Sequence, residues 1–347
     1  MRNVRFDSNG STPVFKYDNK LGGEEYVDYK PPIDLLDPSI NVTDYCVELL
    51  INPLLSNESN VYMLLDPNNV TSQKVGVVMP ISVLSSDEQP EHIIHNYIYA
   101  AFHILLERIE EIKEVEFYKN FEPNVCVFVV DRRKVKTEYP LPLCIHTLRK
   151  YGYSYFEINN RIKPPFGYVA TEYIRSGQKN IRLDIKEPEL YSDPIVDSLM
   201  RALPNAHDVT HRFVLLYQVI ELLMEKAAIT EINNYIASLS INDIPSNDFV
   251  HGVNELSTEK EKIKEIFRKA NITSAESGDF RNACLILYGL IHYNNPKMTS
   301  SDDVLLYSFR NQMTHSFRTL RKEPVALATT IQRFEILILR IIERYVS

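Results

Sequence analysis

Cysteine is sparse and unpaired in this sequence. Cys46, Cys126, Cys144 and Cys284 stand far apart with no C-x-x-C spacing. That excludes a zinc ribbon or a disulfide framework and leaves them as small buried hydrophobes. Residues 1–7 lack the apolar run of a secretory signal, and no stretch approaches the roughly 20 uncharged apolar residues that span a bilayer. A soluble, cytoplasmic protein with no membrane partner is therefore expected. The glycosylation-type triplets at Asn41, Asn57, Asn69 and Asn271 then carry no meaning. Phosphate-cradling loops are missing as well: neither G-x-x-x-x-G-K nor G-x-G-x-x-G occurs, and Gly22-Gly23 is too short to serve. This argues against an ATPase or a dinucleotide enzyme. Positive charge is also in short supply. A formal net charge of −8 repels a polyanion over most of the surface, so any nucleic-acid site must be local.

With 347 residues, 44% of them hydrophobic, the chain can bury the cores of two ordinary domains. An α+β fold is expected: residues 1–195 as a mixed α+β domain of regulatory or recognition type, and 196–347 as an all-α bundle. In the first part, short β-type runs cover 61–65, 75–79, 125–130, 168–174 and 181–185, with Pro, Asn, Asp and Gly at their bounds. Between the second and third, 91–115 has helical spacing through Ile94, Tyr97, Ala101, Leu105, Ile109 and Ile112. Beyond Pro188 and Pro194 helical periodicity is nearly unbroken. Helices are expected after Asp208 or Thr210, over 259–270 behind Ser257 or Thr258, and over 279–292, 302–320 and 324–346.

The helix expected over 302–320 is the part that carries chemistry. On a wheel of about 100° per residue, Leu306, Phe309, Met313, Phe317 and Leu320 form one apolar arc. Arg310 borders that arc and His315 lies almost opposite, too far round to be a core histidine. Asn311, His315 and Arg318 are spaced i, i+4, i+7 and share a face. The set offers an imidazole that exchanges protons near neutrality, guanidinium groups that grip phosphate, and an amide that orients either. RNA cleavage without metal needs those roles: one group takes the 2′-hydroxyl proton, another protonates the leaving 5′-oxygen, and positive charge sits on the phosphorus. One helix supplies too little, whereas two copies across a symmetric dimer supply two histidines and two arginines. From residue 301 onward Lys and Arg number seven against five acids, a mildly basic segment in an acidic protein.

The stretch Arg310-Asn311-Gln312-Met313-Thr314-His315 resembles the R-N-x-x-x-H form of the active-site motif of HEPN (higher eukaryotes and prokaryotes nucleotide-binding) ribonucleases. Phe213 to Glu221 resembles the early-helix Tyr-x-x-x-Glu pattern of such domains, through Tyr217 and Glu221. The resemblance covers about 200–347 and implies a dimeric endoribonuclease needing neither metal nor cofactor, often a toxin or antiviral effector. By motif position it implies that Arg310 binds the scissile phosphate, His315 transfers protons and Asn311 supports both. Glu221 is then expected to orient an arginine, with Arg318 on substrate. In a toxin subgroup silenced by nucleotide transfer, a tyrosine stands two places after the motif histidine; here that place is Phe317. A protein partner that restrains or triggers the activity is a further expectation. The rival is a sensor or assembly protein whose bundle only dimerises and whose α+β part binds the ligand.

Other signals favour structural readings. His92, His95 and His103 lack the Glu or Cys partners of a metal site. Asp302-Asp303 supplies a cap and first-turn charge. The alternating run from Glu259 to Lys269 reads as an exposed helix held by local pairs. The aromatic run from Tyr151 to Phe156 reads as core rather than as a base-stacking platform.

Overall fold

The computed structural model describes residues 5–6, 13–19, 23–28, 40–52, 60–66, 73–85, 94–108, 117–122, 124–135, 141–156, 172, 174–175, 177–183, 193–206, 208–239, 251, 254, 258–293 and 301–345. The fold is α+β: strands lead and helices follow. The described residues divide into two compact units, those up to 185 and those from 186 onward.

In the first unit, β1 (Arg5–Phe6), β2 (Pro13–Asn19) and β3 (Gly23–Asp28) form an antiparallel sheet. A second sheet joins β4 (Tyr45–Ile51), β5 (Tyr62–Leu65), β6 (Lys74–Pro80), β7 (Val125–Asp131), β8 (Ser154–Tyr155) and β9 (Asn180–Arg182) in the order β8-β4-β7-β6-β5-β9. All its pairings are antiparallel except β5 with β9. Alternate side chains go to opposite faces. Val47, Leu49, Val127 and Val129 pack with Ile98, Phe102 and Leu105 of α1 (His95–Arg108). Leu50, Cys126, Phe128 and Val130 pack with Cys144, Ile145 and Leu148 of α2 (Leu141–Arg149). Covering both faces makes β7 buried throughout, hence its unbroken apolar sequence. At Gly76 a Cβ would stand 2.4 Å from the Val129 carbonyl oxygen, so only glycine fits β6 there.

The runs expected over 61–65, 75–79 and 125–130 are β5, β6 and β7. That over 181–185 overlaps β9, and 168–174 lies almost wholly outside the described residues. Of the histidines considered together, His92 is outside them too, while His103 packs its ring 4.4 Å from Tyr99 and burial holds its pKa below the usual value. Tyr153 and Tyr155 are core residues.

The second unit is helical: α3 (Pro194–Ala202), α4 (Val209–Leu239), α5 (Glu259–Lys269), α6 (Ser274–Leu290), α7 (Asp302–His315), α8 (Phe317–Leu320) and α9 (Pro324–Arg344). Asp208 accepts from the His211 amide at 2.8 Å and Thr258 caps α5. α6 starts at Ser274 rather than near Asp279, because Thr273 and Glu276 close a reciprocal capping box there. Phe213, Phe280, Phe309 and Phe334, one each from α4, α6, α7 and α9, meet at centroid separations of 5.6 to 6.3 Å and form the aromatic centre. Beside it Arg212 donates to Glu335 Oε2 through Nε at 2.9 Å and Nη2 at 2.6 Å, and through Nη1 to the Leu203 carbonyl at 3.2 Å. The two side chains are only 6% and 7% exposed. No helix among the described residues is long and apolar enough to cross a membrane.

A buried pair of this kind is most costly when only half of it is removed. Glu335→Ala should destabilise the helical unit by about 3–5 kcal/mol in urea unfolding, whereas Arg212→Met with Glu335→Leu should recover most of that loss. Equal loss in single and double variants would show that packing, not the unpaired charge, dominates.

Candidate active site

α7 is fixed at its start by Asp302, which accepts from Ser277 and from Arg281 Nε at 2.6 Å on α6. Leu305, Leu306, Phe309 and Met313 are then buried. That places the opposite face, with Thr314 and His315, in solvent. The helix stops at His315 instead of running to Leu320. Ser316 leaves the helical region at φ −130°, ψ 20°, and its carbonyl accepts from the Thr319 amide at 2.8 Å, opening the separate turn α8. Arg318 therefore does not continue the face of Asn311 and His315, and Phe317 is half-buried rather than part of the core stripe.

Arg310 is the most heavily constrained of the nominated residues. Its Nε stands 3.1 Å from Glu259 Oε1, Nη1 donates to Asn311 Oδ1 at 3.1 Å, and the guanidinium lies 5.9 Å over the Tyr217 ring. The Tyr217 hydroxyl in turn donates to Glu259 Oε1 at 2.6 Å. Burial, and then the bond and charge of Glu259, hold that hydroxyl's pKa far above its usual value, so it stays a donor. Three helices thus aim one guanidinium, whose side chain remains 27% exposed.

The acid that orients Arg310 is Glu259 of α5, not Glu221. Glu221 is exposed one turn along α4 from Tyr217 and makes no ion pair with Arg310; its charge reaches the Tyr217 hydroxyl only weakly. The alternating signs around Glu259 do give local pairs, Lys264 with Glu261 and Arg268 with Glu265. Glu259 itself reaches across to another helix, a pairing that no spacing within its own helix reveals.

Arg310 of α7 pairs with Glu259, the first residue of α5. Residues 311–315 carry α7 roughly 7 Å beyond Arg310 at 1.5 Å per residue. His315 occupies that tip and makes no hydrogen bond or ion pair among the described residues.

No family model, curated protein or solved structure matches the chain. The site is accordingly read from its own chemistry. A fixed cation and a solvent-facing imidazole stand five residues apart on one helix, with an amide beside the cation. Among the described residues no group of three or more His, Cys, Asp or Glu is placed to hold a metal ion.

A double-mutant cycle separates the two acids. Glu259→Ala combined with Arg310→Ala should show a coupling of about 0.5–1 kcal/mol in unfolding free energy, as for partly exposed pairs. Glu221→Ala combined with Arg310→Ala should be additive.

Proposed function

We propose that the helical unit is a metal-independent endoribonuclease of HEPN type, acting as a symmetric dimer or larger assembly. The observation that carries the reading is the contrast within α7 between Arg310, locked by Glu259, Asn311 and Tyr217, and His315, exposed with no partner at the helix tip. A preorganised guanidinium suits a group that must stabilise charge on phosphorus without rearranging. A solvent-facing imidazole suits one that must exchange protons.

In this reading the RNA 2′-hydroxyl attacks the adjacent phosphorus while one His315 takes its proton. The His315 of a second copy protonates the departing 5′-oxygen. The products are a 2′,3′-cyclic phosphate and a 5′-hydroxyl. Arg310 holds the non-bridging oxygens and Asn311, through its remaining amide hydrogens, helps to orient the phosphate. A toxin or antiviral role in the cytoplasm, with a protein partner restraining or triggering cleavage, extends the same proposal.

A second reading, an assembly or sensor protein with a non-catalytic bundle, is favoured by Ile286 and Leu290. These lie one helical turn apart on α6 and are 61% and 48% exposed, an apolar strip suited to association.

Purified protein incubated with labelled RNA in EDTA decides between them. Cleavage leaving cyclic phosphate ends should fall at least about 100-fold in His315→Ala, the scale of a lost general acid–base group, and comparably in Arg310→Ala. Wild-type protein that assembles but leaves RNA intact would favour the second reading, and equal cleavage by all three proteins would place the chemistry elsewhere.

A further inference from the structure

Most arginines of the helical unit are paired. Each of these meets a carboxylate or a backbone carbonyl, from Arg201 on Asp197 to Arg340 and Arg344 on Glu276. Two are exceptions, Arg318 and Arg321, and they fall within five residues of each other together with Lys322. All three side chains are exposed and none has an acidic partner among the described residues.

Their placement is built by the backbone. After the break at Ser316, the Arg321 amide donates to the Phe317 carbonyl at 3.0 Å, Lys322 to Thr319 at 3.2 Å and Glu323 to Leu320 at 3.1 Å, so helical spacing continues past α8 itself. Positions 318, 321 and 322 are then i, i+3, i+4 neighbours on one face. Leu320, wholly buried, anchors the turn from the opposite side. The Arg321 guanidinium lies 5.8 Å over the Phe317 ring, which limits its motion while leaving its edges open. Chain connectivity alone keeps Arg318 within about 11 Å of His315 between Cα atoms, a reach of one or two nucleotides.

We infer that the Arg318, Arg321 and Lys322 turn is a phosphate-binding site for the backbone of single-stranded RNA next to the nucleotide cleaved at His315. The inference rests on the ribonuclease reading and deepens it. In an acidic protein, unpaired positive charge concentrated beside the imidazole holds the strand where the rest of the surface repels it. The contact is with phosphate and sets register and affinity, not base sequence.

The test uses the full chain and a fluorescein-labelled 12-nucleotide single-stranded RNA, 2′-O-methylated so that it cannot be cleaved, titrated in EDTA at several KCl concentrations. Each phosphate contact to a single strand contributes about 0.7 to the slope of log K against log salt. Arg321→Ala with Lys322→Ala should lower that slope by about 1.4 and weaken binding by about 10-fold at moderate salt. With an unmodified RNA the same variant should raise KM and leave kcat within about two-fold, since neither residue touches the reacting atoms. Arg321→Gln with Lys322→Gln, which keeps an uncharged polar side chain at each position, should give the same result and covers any folding defect of the alanine pair. Lys264→Ala with Arg268→Ala removes the same charge further along α5 and should lower the slope far less.

Unchanged slope and affinity in both Arg321/Lys322 variants, with His315-dependent cleavage intact, would overturn this site and leave the ribonuclease standing. An equal effect from the Lys264/Arg268 pair would overturn it too, by showing a response to net charge alone. Wild-type protein that neither binds nor cleaves RNA would overturn both.

Discussion

A single buried ion pair, Arg212 with Glu335, sets the helical unit. Two charges taken out of water must face each other with good geometry, and this requirement fixes how α4 slides and rotates against α9. The next residues along, Phe213 and Phe334, then meet at 5.7 Å, and Phe280 and Phe309 close around them. Once Phe309 is inside, its neighbour Arg310 must emerge about 100° round the helix, at the border where α5 and α4 offer Glu259 and Tyr217. The direction of the site guanidinium is thus a downstream result of a pair it does not touch.

Much of this was legible in the sequence where one element decides its own environment. β7 has no polar residue before Asp131 because both its faces are covered, and an apolar run of that kind announces itself. The exposure of His315 opposite the buried stripe of α7 was equally legible, since helical spacing relates residues on one helix. β4 escaped notice because Glu48 interrupts it, and its place beside β7 depends on a partner 80 residues away. The true start of α6 lay in Thr273 and Glu276, a capping box upstream of the acid that seemed to open it.

Two misreadings share a cause. A wheel continued through Ser316 put Arg318 on the same helical face as Asn311 and His315, but the serine carbonyl turns to serve a new helical turn. Likewise Glu221, expected to orient an arginine, pairs with none among the described residues, while Glu259 on another helix holds Arg310. Spacing rules work along a continuous helix; they cannot see a break of one residue or a partner brought by packing.

The stretch of α7 beyond Arg310 makes helix length a ruler. Glu259 marks the zero and His315 sits at the fifth graduation, so the imidazole's height and bearing are set by residue count rather than by contacts of its own. One residue added between Arg310 and His315 would lift the histidine by roughly 1.5 Å and swing it by about 100°, changing both its height and its bearing. Side chains at Gln312 and Thr314 can vary with little consequence for that placement, whereas any change in the length of the interval between Arg310 and His315 resets it.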